Sequence, residues 1–282
     1  MYMRKLFYLA LAVMPFAFSA CDVEDVEKDG EDAATVTELE GTWYYEDSHH
    51  PFTIVFKGET YTFETPGFKD QGTFTYQNNL ITCHLTDRWS GDVEWNDGKR
   101  VSAGNWEKIS LDGYTGRTFK VSLLENGVCI GKLTDEFYGG KPIEIMLLCK
   151  GVRISINSSE LDGEWLFKEN NEVLARLVVD GNNYTIWQEM PYSQQAAATK
   201  EHGEWSYENG FINLSPDSMF FSYAHIDTGY VYSRVDPATL EAEEWFQTQY
   251  EPDDMKIPAY KSKDTFYISI PDQEYLLKFK KK

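Results

Sequence analysis

The chain repeats itself once, and that repeat limits its possible folds more than any other feature. Glu38-Leu39-Glu40-Gly41-Thr42-Trp43 returns as Glu160-Leu161-Asp162-Gly163-Glu164-Trp165. Gly58 to Phe63 returns as Gly181 to Ile186, each copy holding a Tyr-Thr pair, Tyr61-Thr62 and Tyr184-Thr185. Gly72-Thr73-Phe74-Thr75-Tyr76 returns as Gly203-Glu204-Trp205-Ser206-Tyr207, and Glu144 to Lys150 is echoed by Glu274 to Lys280. The blocks keep their order and nearly their spacing. A period this long is no solenoid repeat. It predicts two tandem domains, 38–150 and 160–282, joined by 151–159.

Within each copy the apolar pattern has period two, as a half-buried strand requires. Phe74 and Tyr76 share one face, with Thr73 and Thr75 on the other; Ile81, Cys83 and Leu85 alternate with Thr82, His84 and Thr86. Asn78-Asn79, Asn96-Asp97-Gly98 and Asn209-Gly210 sit between such runs as hairpin turns. There is no amphipathic helix of useful length; Ala196 to Glu201 reads as a turn at most. The expectation is an all-β protein of two small antiparallel barrels. About eight strands per copy is enough to close a barrel and leave no edge unpaired.

The Gly-x-Trp that opens each copy, followed by a short Gly-x-x-Tyr-Thr strand, resembles the lipocalin-like domains of Bacteroidetes lipoproteins. That resemblance implies that Trp43 and Trp165 close one end of each barrel. It also implies that a basic residue of the last strand, Lys150 or Lys280, sits over the tryptophan. The alternative architecture is a pair of immunoglobulin-like sandwiches, since Cys83, Trp95 and Cys149 copy the Cys…Trp…Cys order. Against it, the second copy lacks these cysteines, and Cys149 lies on a terminal strand.

The first 20 residues have the parts of a secretory signal: Arg4 and Lys5, an apolar run from Leu6 to Phe18, and small residues before Cys21. The run is short of the ~20 apolar residues that span a bilayer. Phe18-Ser19-Ala20-Cys21 resembles the lipobox of bacterial lipoproteins, which implies that Cys21 is lipidated after cleavage. More than one acyl chain gives stable anchoring, where a single chain holds marginally. Residues 22–37 begin Asp-Val-Glu-Asp, an acidic stretch without a core pattern that reads as a tether able to reach roughly 50 Å when extended. An acidic stretch placed there resembles the export signal of surface lipoproteins in the Bacteroidetes. The expected location is the outer membrane, anchored by lipid and surface-exposed, with the membrane as one partner.

Candidate chemistry is sparse. The formal net charge of −20 sets the chain against phosphate backbones, so nucleic acid is not an expected partner. By the repeat offset, Cys83 falls on Leu214 and Cys149 on Phe279, which makes these cysteines core positions; Cys129 lies in an equally apolar strand. An odd number of cysteines after Cys21 leaves any disulfide among the three open. His49, His50, His84, His202 and His225 are scattered, and His84 points away from Cys83 on its strand. Asp92-x-Glu94-x-Asn96-Asp97-Gly98 has calcium-loop letters, but its glycine falls seventh rather than sixth and Ala103 stands twelfth. Glu243-Glu244 and Asp253-Asp254 are adjacent carboxylates that do not span a scissile bond by themselves. No metal, cofactor or catalytic constellation is expected, and the chain reads as a non-enzyme.

The surplus is aromatic, at 15% of residues. Tyr61, Phe63, Phe74, Tyr76, Tyr184, Trp205 and Tyr207, with Ile186, sit at alternating positions and belong to the cores. Trp89, Trp95 and Trp106 in copy one, and Phe220, Tyr223 and Tyr230 in copy two, lie where the copies diverge, among polar residues. Flat rings in such surroundings stack on sugar faces or rim a barrel mouth. The expected function is a binding module for a small apolar or carbohydrate ligand. The alternative is a structural or protein-interaction component of the outer membrane surface, with its barrels filled by their own side chains.

Overall fold

The computed structural model describes residues 36–47, 49–112, 114, 116–135, 139–190, 197–226, 229–248, 253–270 and 275–282. Cys21 and residues 22–35 lie outside the described residues. The chain divides into two compact units that meet in sequence between Ile154 and Ser155.

In the first unit a helical turn, Val36–Leu39, leads into β1 (Gly41–Tyr45), β2 (Phe52–Lys57), β3 (Thr60–Thr65), β4 (Phe68–Gln77) and β5 (Leu80–Asn96). β6 (Lys99–Lys108), β7 (Arg117–Glu125), β8 (Val128–Asp135) and β9 (Ile143–Cys149) follow. All pair antiparallel in the order β4-β3-β2-β1-β9-β8-β7-β5, and β4 pairs β5 to close the ring. Eight strands thus make a closed barrel, and β6 lies outside it as the second strand of a long ribbon on β5.

The second unit repeats the plan. Its strands are β10 (Gly163–Glu169), β11 (Glu172–Asp180), β12 (Asn183–Met190), β13 (Ala197–Glu208) and β14 (Phe211–Phe221). After the hairpin of β15 (Tyr223–Ile226) and β16 (Gly229–Tyr232) and the short β17 (Phe246–Gln247) come β18 (Met255–Ser262), β19 (Thr265–Ile270) and β20 (Tyr275–Lys281). The order β13-β12-β11-β10-β20-β19-β18-β14 is closed by β13 on β14. These are two closed eight-stranded antiparallel barrels in tandem, the lipocalin-like architecture. The closing pairs dispose of the sandwich alternative, because two packed sheets need edges that neither ring has.

Local chemistry explains the closure. Asn78 and Asn79 (φ 50° and 58°) and Asn209 and Gly210 (φ 50° and 88°) form two-residue turns whose twist matches the strands they join. Partway along these same two pairings, the register shifts between Gln71 and Gly72 and between His202 and Gly203. A Cβ on Gly72 would sit 2.0 Å from the His84 carbonyl oxygen, and one on Gly203 2.4 Å from that of Ser215. Only glycine lets the wall bend this sharply at a bulge.

Each barrel is sealed at one end in the same way. Trp43 Nε1 donates to the Leu39 carbonyl at 2.8 Å and Trp165 Nε1 to that of Leu161 at 2.7 Å. All four residues are buried.

Strand register corrects three expectations. Trp43 pairs with Cys149 and Trp165 with Lys281, so Cys149 corresponds to Lys281 and not to Phe279. The matching bonds from Lys150 N to Thr42 O and from Lys282 N to Glu164 O give the same offset. As text the last strands match better two residues out of register, because Glu144-Ile145-Met146-Leu147 then falls on Glu274-Tyr275-Leu276-Leu277 and Lys150 on Lys280. It follows that Lys281, not Lys280, lies over the Trp165 ring, 5.4 Å from its centroid, while Lys280 pairs with Asp264. Finally, Ala197 to Glu201 is not a turn but the start of β13, held by pairing on both sides.

Candidate functional site

The inside of the first barrel is nearly solid. Its inward side chains, among them Phe52, Ile54, Phe63, Phe119, Leu133 and Ile145, leave a cavity of about 20 Å³. That is room for about one water molecule. Cys83, Cys129 and Cys149 are three separate free thiols, all buried, and burial pushes the Cys83 thiol up to about 12. A thiol held protonated in this way is a small hydrophobe rather than a nucleophile.

At the end of this barrel away from Trp43, the core turns ionic. Asp70 on β4 accepts two hydrogen bonds from Arg88 on β5, at 2.7 and 2.8 Å, and a third at 3.2 Å from Arg117 on β7. Arg117 also donates to Asp135 on β8. Asp70 and Asp135 are essentially unexposed, and the Arg117 side chain is 3% exposed. Aromatic faces complete the plug: Arg117 lies 3.4 Å from the Phe63 ring centroid and Arg88 3.8 Å from that of Tyr114. Burial alone would lower the Arg117 pKa, but Asp135, Tyr114 and Asp70 outweigh it and hold the guanidinium charged. Two cations and two anions cancel locally, which is how buried charges are tolerated.

The space this barrel offers is on its outside. A groove of about 750 Å³ runs over the outer faces of β1, β2 and β3, with Tyr44, Thr53, Val55, Thr62 and Glu64 as its floor. Val101 and Ser102 of the β5–β6 ribbon form one bank, and Glu46 and Lys150 stand at the ends. The ribbon is tied down where it leans over. Arg100 Nη1 donates to the His49 carbonyl at 3.2 Å, Lys99 pairs with Glu46 at 3.8 Å, and Gly91 N donates to the Gly67 carbonyl at 3.0 Å. The Tyr44 hydroxyl has its pKa raised by burial and by the nearby Glu46, so it enters any contact as a neutral hydroxyl.

On the second barrel the same face is covered. Its β10–β12 wall carries Leu166, Arg176, Val178 and Trp187, and residues 233–247 lie across it as a strap. Leu240, 1% exposed, packs with Val173 and Trp187, and Leu166, Val178, Val235 and Trp245 surround them. Arg176 reaches the Thr239 carbonyl and Glu241, both at 3.4 Å, and lies 4.3 Å over the Trp187 ring.

The aromatics singled out from sequence do not converge. Trp89, Trp95 and Trp106 share the β5–β6 ribbon, whereas Phe220 and Tyr223 belong to the second barrel. Trp106 packs flat on Gly91, where a Cβ would come 2.5 Å from its ring, and Trp89 lies 6.0 Å from Lys108 Nζ. Trp95 is 59% exposed and meets the His49 ring in a T-shaped contact at 5.7 Å. Phe220 meets His202 edge-on at 5.7 Å, and Tyr223 lies 5.2 Å from Phe221. Tyr230 stands opposite His225 in the β15–β16 hairpin, with its side chain outside the described residues. None of the five described side chains lines the groove. The calcium-like letters at Asp92–Gly98 form the ribbon tip, and among the described residues no three His, Cys, Asp or Glu side chains are placed to share a metal ion.

Sequence reading missed the groove floor and the ionic plug. The plug had a usable signal: Asp70 keeps the inward parity of Gly72 and Phe74, and Arg117 that of Phe119 and Val121, so each is a charge written into a core face. The floor had none, because Tyr44, Thr53 and Val55 look like any outward face of a barrel. No protein-family model matches the chain, and no curated protein matches it in sequence.

Proposed function

We propose that the chain is a lipid-anchored, non-catalytic envelope lipoprotein that works through its outer surfaces as a protein-interaction component. The observation that carries this is the first barrel's interior. A cavity of about 20 Å³ holds no ligand larger than water, whereas pockets for small molecules run from about 300 to 1,000 Å³. Among the described residues, the sealing tryptophan closes one end and the Asp70–Arg117 plug the other. Lipidation at Cys21 and surface display rest on the lipobox-like end of the signal and the acidic stretch after it. A second reading, a carbohydrate ligand, is supported by the external groove, whose tyrosine, threonine and glutamate floor is suited to sugar hydroxyls.

The test is native mass spectrometry of the ectodomain, released by tether proteolysis from the host's own membranes, beside crosslinking of intact cells. The proposal expects a bare protein mass and crosslinks to another envelope protein. A tightly held small molecule on either barrel would overturn it.

A further inference from the structure

Each barrel buries one carboxylate two residues before its bulge glycine: Asp70 before Gly72 and Glu201 before Gly203. In the first barrel Arg88 pairs opposite Asp70 and Arg117 opposite Cys83, and both guanidiniums reach the acid. In the second barrel Met219 pairs opposite Glu201, and Met255 opposite Leu214, the counterpart of Cys83. Two cations are replaced by two thioethers, and the acid is kept. Residues directly opposite on a sheet have Cβ atoms about 5 Å apart on one face, within joint reach of a bound ion.

Glu201 is 2% exposed, and it accepts a hydrogen bond on Oε1 from the Tyr184 hydroxyl at 2.5 Å. Its other oxygen, Oε2, is buried with no hydrogen-bond partner among the described residues. Lys200, the neighbour in β13, is turned to the outer face, where it pairs with Glu241 at 3.8 Å. Asp217 and Asp254 act on the same Tyr184 hydroxyl as Glu201 does, so the field around the free oxygen is negative. Met219 is buried and Met255 half-buried, which leaves the site one edge toward solvent.

We propose that Glu201, Met219 and Met255 form a binding site for one soft monovalent metal ion of the Cu(I) type in the second barrel. Thioether sulfur selects such an ion, whereas Ca2+ takes six or more oxygen ligands and Mg2+ an octahedron of them. Charge points the same way. An ion of single charge takes the place of the carboxyl proton and leaves the site neutral, as paired guanidiniums and carboxylates do in the first barrel. A dication would leave a buried charge uncompensated. On binding, the Glu201 O–H bond breaks, its proton passes to solvent, and an oxygen–metal bond forms with no change of oxidation state. The site goes beyond the interaction reading, since one ion inside a barrel neither supplies nor blocks a partner on the outer surface.

The test is 13C-methyl NMR of the full-length chain labelled at methionine and carrying Cys21→Ser, titrated with silver nitrate in chloride-free buffer. Silver(I) has the charge and ligand preference of Cu(I) and keeps its oxidation state. The expected result is that the Met219 and Met255 methyl signals shift together and saturate, while that of Met146 in the first barrel stays in place. Glu201→Gln and Met219→Leu, each with unchanged sheet circular dichroism, should weaken that response at least tenfold. Silver taken up only by the cysteines of the first barrel, with both methyls unmoved, would overturn the assignment. So would a shift of full affinity in both variants, or an equal response to calcium.

Discussion

Asp70 and Glu201 occupy the same place in the two barrels, each two residues before the bulge glycine and each buried, yet they are neutralised in opposite ways. Asp70 faces Arg88 and Arg117. Register puts Met219 and Met255 at those two positions in the second barrel. Deprived of cations, Glu201 accepts a 2.5 Å hydrogen bond from the Tyr184 hydroxyl, and burial pushes its carboxyl up to about 7 despite that bond. In the first barrel the equivalent tyrosine, Tyr61, makes no such bond, because its carboxylate is already engaged by guanidinium groups. One backbone thus accommodates a buried acid either by pairing it or by letting it keep its proton. The choice turns on two side chains.

The comparison is broken most forcefully by Arg117→Met, which copies the second barrel's residue into the first but leaves Asp135 and Asp70 behind. Removing one partner of a buried ionic cluster costs roughly 3–5 kcal/mol, so urea unfolding should show the first barrel's transition moving to much lower denaturant while the second stays put. Equal movement of both, or none, would show that the cluster is not what holds that end shut.

Glu201 gives the next largest effect. The folded state keeps its proton to about pH 7, while an unfolded glutamate loses it near pH ~4.3. Between those values the folded state binds more protons. The contribution is therefore fully present below about pH 4.3 and is lost as pH rises toward 7, about 4 kcal/mol in all. Glu201→Gln should remove that slope and stabilise the second barrel at pH 8 by a similar amount, as read from thermal melts across pH 4 to 8. A slope that survives the substitution would place the titrating group elsewhere.

Much of the fold was legible because repetition and alternation are local signals, and the Trp43 and Trp165 seals were readable from the motif that opens each copy. What misled was also physical. The last strands share a run of Glu, two apolar residues and Leu, then a closing Lys, which sets Cys149 against Phe279 as text, whereas pairing places it at Lys281. Tryptophans among polar residues looked like a ligand rim, but Trp106 is there to cover Gly91 in a ribbon with no core of its own. The groove depends on how far an insertion stands from a wall, which no residue pattern records.

Two smaller effects sharpen the contrast between the insertions. Leu240→Ala should cost about 2–3 kcal/mol in the second barrel, because the turn loses the side chain that fixes it. Trp95→Ala, at the exposed ribbon tip, should change stability by no more than about 0.5 kcal/mol. Thermal melts compare them directly, and comparable losses would mean that the ribbon is packed as tightly as the strap.

The most direct test of the account uses a photoactivatable phenylalanine analogue in place of Val55 on the first wall, and separately of Val178 on the second, in intact host cells. If function resides on the open wall of the first barrel, irradiation yields a discrete protein adduct from position 55 and none from the strap-covered position 178. Adducts of equal yield from both positions, or no protein adduct from position 55 beside a ligand-sized mass on the released ectodomain, would contradict it.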